Sequence, residues 1–211
     1  MFPGDEAARR RLVLDKIGEA VRCGVDYIQL REKDLSGREL EELARHAMRV
    51  VREERESSSA HGRKTRLLIN SRTDVALAVG ADGVHLRSDD VSVGEVREIV
   101  KAAASRNAKQ ETGNFIVSVS CHSEEEVRAA AADGADFVVF APIFEKSGAS
   151  KSGVGLDALA QACQVAVPVF ALGGVTVTNA RLCLETGAAG IAGIRLFQQN
   201  AIAEIVRSLH R

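Results

Sequence analysis

Short, almost wholly apolar runs recur along the chain, separated by longer stretches that mix apolar and charged residues. The apolar runs are 27–30, 66–70, 83–86, 115–120, 137–140, 167–172 and 190–194. They are mostly continuous rather than alternating, the pattern of parallel strands covered on both faces. Helices are expected at 6–22, 38–56, 93–106, 124–132, 156–163, 177–185 and 202–209, with a shorter one at 74–79. Gly24, Gly80, Gly134 and Gly187 each follow a helical stretch and precede an apolar run. Glycine is favoured just past a helix end, where the backbone turns left-handed. Each copy therefore reads as helix stop, short loop, buried strand. Ser36 with Glu39, Ser92 with Glu95 and Ser123 with Glu126 fit the S-x-x-E capping box that opens a helix.

Strand and helix alternate throughout, which implies a parallel α/β fold. Polar residues collect where the strands end: Gln29, Arg31, Lys33, Asn70, His85, Ser120, His122 and Gly173-Gly174. A closed barrel gathers its strand-end loops at one mouth. An open doubly wound sheet concentrates them at one switch point, and the chain has neither a GxGxxG nor a Walker loop. The expectation is one (β/α)8 TIM-type barrel domain over residues 1–211. Seven strands are counted where a barrel has eight, and the chain opens directly into a charged helix. The first strand is therefore expected to be missing from this chain, lying upstream of Met1, or else the barrel is open there. The polar segment 56–64 reads as a mobile loop.

Composition narrows the partners. With 28 basic and 29 acidic residues the formal net charge is -1, which argues against a nucleic-acid surface. No apolar run reaches the ~20 residues that span a bilayer, and the charged N-terminus does not read as a signal peptide. The four cysteines (Cys23, Cys121, Cys163 and Cys183) form no CxxC pair and no zinc spacing. They read as reduced thiols in a cytoplasmic protein.

Chemistry is expected at the strand ends. Arg31 and Lys33, in the run Gln29 to Asp34, suit phosphate oxygens. The Asn70 amide suits a phosphate oxygen or the start of the next helix. His85 sits inside an apolar strand, as a core residue or facing the barrel interior. Asp89 and Asp90 suit Mg²⁺, which takes one or two carboxylates together with substrate phosphates, or the start of a helix. His122 is a candidate acid or base. Cys121 points to the opposite strand face from its neighbours and is set aside as a nucleophile. Gly173-Gly174 and Arg195 suit a phosphate held on backbone N–H groups.

Taken in order, QLREKD (29–34), N-x-R (70–72), DVALAVGADGVHL (74–86), the aspartate pair (89–90), S-x-H (120–122), ADGADFVVFAPIF (132–144) and GGVT (173–176) resemble the thiamine phosphate synthase family, which includes the thiazole tautomerases. The resemblance spans about Gly24 to Leu196. It implies a Mg²⁺-dependent transferase of thiamine biosynthesis that joins hydroxymethylpyrimidine pyrophosphate to thiazole phosphate and releases pyrophosphate. It places Gln29 and His85 near the pyrimidine. Arg31, Lys33 and Asn70 would hold pyrophosphate, and Asp90, with Asp89 beside it, the metal. Ser120 would lie by the reacting groups and Gly174 would bind the thiazole phosphate, while in the tautomerase branch His122 would be the acid/base group. The chain departs from the synthase pattern at Ser71, where an aspartate is usual, and at Arg87-Ser88, at 145–149 and at Arg195. Lys146 or Lys151 would replace a lost lysine. Two alternatives stand beside the synthase: a metal-free thiazole phosphate tautomerase using His122, and a non-catalytic binder of a phosphorylated ligand. A homodimer is common among such folds.

Overall fold

A computed structural model describes residues 5–57, 64–106, 114–145 and 153–209. Among these residues helix and strand alternate. The order is α1 (Glu6–Arg22), β1 (Tyr27–Leu30), α2 (Gly37–Ser57), β2 (Arg66–Asn70), α3 (Thr73–Val79), β3 (Gly83–Leu86), α4 (Val93–Arg106) and β4 (Ile116–Cys121). It continues with α5 (Glu124–Ala132), β5 (Phe137–Phe140), α6 (Gly155–Ala162), β6 (Val169–Ala171), α7 (Ala180–Glu185), β7 (Gly190–Ile191), α8 (Arg195–Gln199) and α9 (Ile202–Leu209). The chain divides into two compact units, Met1–Val84 and His85–Arg211.

In the first unit α2 buries Leu40, Leu43, Ala44, Ala47, Met48 and Val51. That spacing of three and four residues makes one apolar stripe, and it packs against α1, which buries Ile17, Ala20 and Val21. Ser36 and Glu39 close the capping box that starts α2: Ser36 N–H donates to the Glu39 carboxylate at 2.8 Å, and Glu39 N–H to Ser36 Oγ at 3.3 Å. β1 and β2 run parallel, with Tyr27 opposite Arg66 and Leu30 opposite Ile69. Leu67, Leu68 and Ile69 are all buried, so β2 has no wet face, as its continuous apolar run implied.

In the second unit β4, β5, β6 and β7 pair in succession, all parallel. Their core includes Val138, Phe140, Leu159, Val169, Ala171 and Cys183. The Ser92–Glu95 box forms in both directions. The third box forms only in part. Ser123 Oγ accepts from Glu126 N–H at 3.2 Å, but the Glu126 carboxylate accepts from His122 N–H at 2.7 Å.

One polar device occurs in both units where a strand begins. Asp82 accepts from Leu67 N–H at 2.7 Å and pairs with Arg55 of α2 at 2.6 Å, while Arg55 also donates to the Thr65 carbonyl. Asp136 repeats this at β4: it accepts from Val117 N–H at 2.6 Å and pairs with Arg97 of α4 at 2.6 Å, and Arg97 donates to the Phe115 carbonyl at 2.8 Å. In both cases the aspartate fastens the start of the preceding strand to the helix that leads into that strand: Asp82 ties β2 to α2, and Asp136 ties β4 to α4.

Three of the expected strands change their bounds. β4 starts one residue later than 115. β6 is shorter than 167–172 and covers Val169–Ala171, starting only after Pro168, which has no N–H to give to the ladder. β7 covers only two of the five residues 190–194. After Ala192 N–H bonds to the Ala171 carbonyl, the chain turns at Gly193, where an added Cβ would lie 2.9 Å from Leu196 Cβ, and enters α8. Arg195 is therefore the exposed first residue of a short helix rather than a strand end. Seven strands stand among the described residues, as counted from the sequence. Lys146, Lys151 and most of the 56–64 loop lie outside those residues.

Candidate active site

In the first unit the strand-end polar residues form a short chain of contacts. β1 ends at Leu30, and β2 at Asn70. Gln29 Nε2 donates to Asn70 Oδ1 at 2.7 Å, and Asn70 Nδ2 donates to Ser71 Oγ at 2.9 Å. Ser71 holds φ at +61°, a left-handed conformation that a non-glycine residue adopts at a cost of about 1–3 kcal/mol. Asn70 does not cap α3, whose N-cap position is Arg72. The Arg72 guanidinium is fixed by Asp74 at 2.8 and 2.6 Å. Arg31 and Lys33 differ. Both are exposed just past β1, and among the described residues neither is held in a salt bridge with a carboxylate.

In the second unit His85 of β3 is buried, at 5% exposure. Its Nδ1 lies 2.9 Å from Ser118 Oγ, and its Nε2 lies 2.9 Å from Ser120 Oγ. Ser118 and Ser120 are two apart on β4, so they share a face. Ser118 is fully buried, while Ser120 is partly open. Sequence reasoning picked out Ser120 and His85 but missed Ser118. The period-two spacing S-x-S was the signal available for it.

Past β3, the two aspartates behave differently. Asp89 spends both carboxylate oxygens on the Arg87 guanidinium, at 2.8 and 2.5 Å, with its side chain 70% exposed. Asp90 is 17% exposed; one oxygen accepts from Arg87 N–H at 2.7 Å, and the other lies 3.5 Å from Arg87 Nε. His122 follows β4. Its Nδ1 meets the Ala141 carbonyl at 2.6 Å, and a carbonyl only accepts, so Nδ1 carries the proton there. Cys121, 1% exposed, is the opposite of a nucleophile: burial first, then the charge of Glu126, push its thiol up to about 12.

Gly173 and Gly174 have φ of +98° and +66°. A Cβ on Gly174 would lie 2.7 Å from Phe144 Cβ and 2.8 Å from the Phe144 carbonyl. The double glycine thus lets the segment after β5 press onto this turn, where Ile143 N–H and Phe144 N–H donate to the Leu172 and Gly173 carbonyls. The turn is braced from the other side. Thr176 N–H donates to Asn179 Oδ1 at 2.7 Å and Asn179 Nδ2 to the Gly174 carbonyl at 3.1 Å. That bracing is why α7 starts at residue 180 rather than 177.

A family model described as thiamine monophosphate synthase matches residues 4–197. The chain belongs to this family. The match reaches α1, beyond the stretch from Gly24 that the motifs marked. A thiamine-phosphate synthase of Methanoculleus marisnigri is 36% identical over 189 residues, 88% of this chain and 80% of the relative. One of Roseiflexus castenholzii is 35% identical over 191 residues, 89% of this chain and 75% of the relative. Among solved structures, a thiamine phosphate pyrophosphorylase from Pyrococcus furiosus superposes with a TM-score of 0.75 at 29% identity, covering 95% of this chain and 90% of that one. The fold is accordingly α/β of TIM-barrel type, and the chain is a thiamine-phosphate synthase family enzyme of thiamine biosynthesis. No helix among the described residues is long and apolar enough to cross a membrane.

Proposed function

We propose that this chain joins hydroxymethylpyrimidine pyrophosphate to thiazole phosphate. The bond from the pyrimidine methylene carbon to pyrophosphate oxygen breaks, pyrophosphate departs with the electron pair, and the thiazole nitrogen attacks the methylene carbon. The observation that carries the reading is the state of Arg31 and Lys33. Arg72 and Arg87, also in strand-end loops, are held by aspartates. Arg31 and Lys33 have no such partner among the described residues, so their charge is available to a polyanion. Cations placed where the leaving group gathers charge lower the barrier to its departure. Asn70, positioned by Gln29, offers its amide beside them. His85 and Ser120 present a polar edge suited to the pyrimidine and the reacting carbon. Gly174 and Arg195 are assigned to the thiazole phosphate.

Mg²⁺ belongs to this proposal, and the residues fit it. Among the described residues no group of three or more His, Cys, Asp or Glu side chains could hold a metal by itself. Mg²⁺ needs no such cage, because substrate phosphates and water complete its shell. Asp90 is the half-enclosed carboxylate of the pair, with one oxygen 3.5 Å from Arg87 Nε, whereas Asp89 gives both of its oxygens to the Arg87 guanidinium. Asp90 would hold the ion, which when bound neutralises pyrophosphate charge. The four cysteines are free thiols, which supports a reducing compartment such as the cytoplasm.

A second reading, the tautomerase, is favoured by His122. Its Nδ1–H is committed to the Ala141 carbonyl, which leaves Nε2 as the ring nitrogen that could exchange a proton with a ligand.

The test is steady-state formation of thiamine phosphate. Arg31→Ala is expected to lower kcat/KM by roughly 100-fold, with Lys33→Ala acting in the same direction. Unchanged kcat/KM in both variants overturns the assignment of the pyrophosphate site. Product formation abolished by His122→Ala and indifferent to Arg31 favours the second reading.

A further inference from the structure

The turn after β3 sets one guanidinium against two carboxylates. Arg87 Nε and Nη2 meet the two Asp89 oxygens at 2.8 and 2.5 Å. The same Nε lies 3.5 Å from one Asp90 oxygen, and Arg87 N–H donates to the other at 2.7 Å. Asp90 N–H returns a bond to the Arg87 carbonyl at 3.2 Å. The backbone of the turn is thus closed by bonds that do not involve the guanidinium, and the turn keeps its shape without it.

What the guanidinium sets is the charge. Asp89 and Asp90 alone would carry a formal charge of -2, and Arg87 between them reduces it to -1. A divalent ion on Asp90 would sit within a few ångströms of that positive charge. Repulsion at such range lowers affinity about tenfold even in a high dielectric. The contact with Asp89 is easily opened, because its side chain is 70% exposed and that of Arg87 is 47% exposed, and ion pairs as exposed as this stabilise little. A guanidinium that leaves a carboxylate meets a phosphate in the same way, with two N–H groups on two oxygens.

We propose that Arg87 makes entry of the divalent ion depend on a diphosphate. In the free protein its guanidinium is the counter-charge of Asp89 and Asp90 and keeps the ion off Asp90. When the ion arrives with a diphosphate, the guanidinium exchanges the Asp89 carboxylate for diphosphate oxygens, and Asp90 takes the ion. The exchange makes and breaks no covalent bond. It rests on the proposed reading of Asp90 as the Mg²⁺ ligand and adds an order of binding to it: ion and diphosphate enter together.

The experiment makes two binding measurements on the full chain. Mn²⁺, in place of Mg²⁺, is titrated without any phosphate and followed by loss of the free-ion paramagnetic resonance signal. Inorganic pyrophosphate is titrated in saturating Mg²⁺ by calorimetry. Arg87→Gln is expected to bind Mn²⁺ about tenfold more tightly than wild type and magnesium pyrophosphate about tenfold more weakly. Arg87→Lys, which keeps the charge, should bind Mn²⁺ as weakly as wild type. Opposite changes in one variant separate this role from a loosened turn, which would weaken both. Mn²⁺ affinity in Arg87→Gln no higher than in wild type, or unchanged affinity for magnesium pyrophosphate, overturns the proposal. Adding Asp90→Asn to Arg87→Gln should abolish the gain in Mn²⁺ affinity. A gain that survives Asp90→Asn overturns the reading of Asp90 as the ligand, and the proposal with it. Neither measurement needs turnover, so a chain that forms no thiamine phosphate would sink the proposed reaction and leave these results to be read separately.

Discussion

At the residue scale, the two adjacent aspartates give the sharpest contrast. The residue types alone left Asp89 and Asp90 equivalent, and only the family resemblance pointed to Asp90. Arg87 separates them: its guanidinium binds both oxygens of the exposed Asp89, while the more enclosed Asp90 accepts from its N–H and lies 3.5 Å from its Nε. Asp90→Asn is expected to raise the Mg²⁺ concentration for half-maximal rate about tenfold or more, with Asp89→Asn within about twofold. Equal effects of the two would contradict the assignment. The glycine pair shows a different kind of partial legibility. GGVT is conspicuous in the sequence as a phosphate turn, but the close approach of Phe144 to Gly174 is a contact between segments thirty residues apart. No local pattern announces it. Gly174→Ala should therefore lower the melting temperature as well as the activity, whereas a glycine that served the phosphate alone would leave stability intact. Ser118 was missed because alternation was used at 120–122 only to set Cys121 aside. Carried two residues back, the same rule puts Ser118 beside Ser120.

At the element scale, helix starts were the most legible features, since a capping box is a local interaction over four residues. Two of the three form reciprocally. The third is diverted because His122 N–H lies close enough to compete for Glu126. The boxes make a pH prediction. Glu39 is held below the usual carboxylate range by the Ser36 hydroxyl and N–H, and Glu95 by Ser92 N–H and hydroxyl. A carboxylate with a lower folded than unfolded pKa adds stability above its unfolded value, near 4.5, and loses it as pH falls through the folded value. Urea unfolding from pH 7 down to pH 3 should show this loss, and the double variant Glu39→Gln, Glu95→Gln should flatten the acid limb. An unaltered limb would mean that the boxes do not form in solution. The repeated aspartate device was not legible, because Asp82 and Asp136 pair with arginines 27 and 39 residues away. Asp82 is the more enclosed of the two. Asp82→Ala should cost about 2–4 kcal/mol, and Asp136→Ala less, by denaturant unfolding. Strand ends after β5 were the least legible, since where a strand stops depends on its neighbour's free carbonyls rather than on its own residues.

At the scale of the whole molecule, family and fold class were readable because they depend on the order of many motifs at once, and each motif sits at a strand end. The continuous apolar runs gave the parallel sheet, and the glycine punctuation gave its period. The strand count of seven also came from the sequence. Lys151, assigned to substrate by position, lies outside the described residues. The central claim is that this chain performs the family's coupling reaction although Ser71 stands where a second metal carboxylate is usual. The most direct measurement is thiamine phosphate formation by the purified wild-type chain, supplied with both substrates and read as fluorescent thiochrome over a Mg²⁺ titration. The account predicts product that rises with Mg²⁺ and saturates. Folded protein that forms no product at any Mg²⁺ concentration, with both substrates in excess, would contradict it.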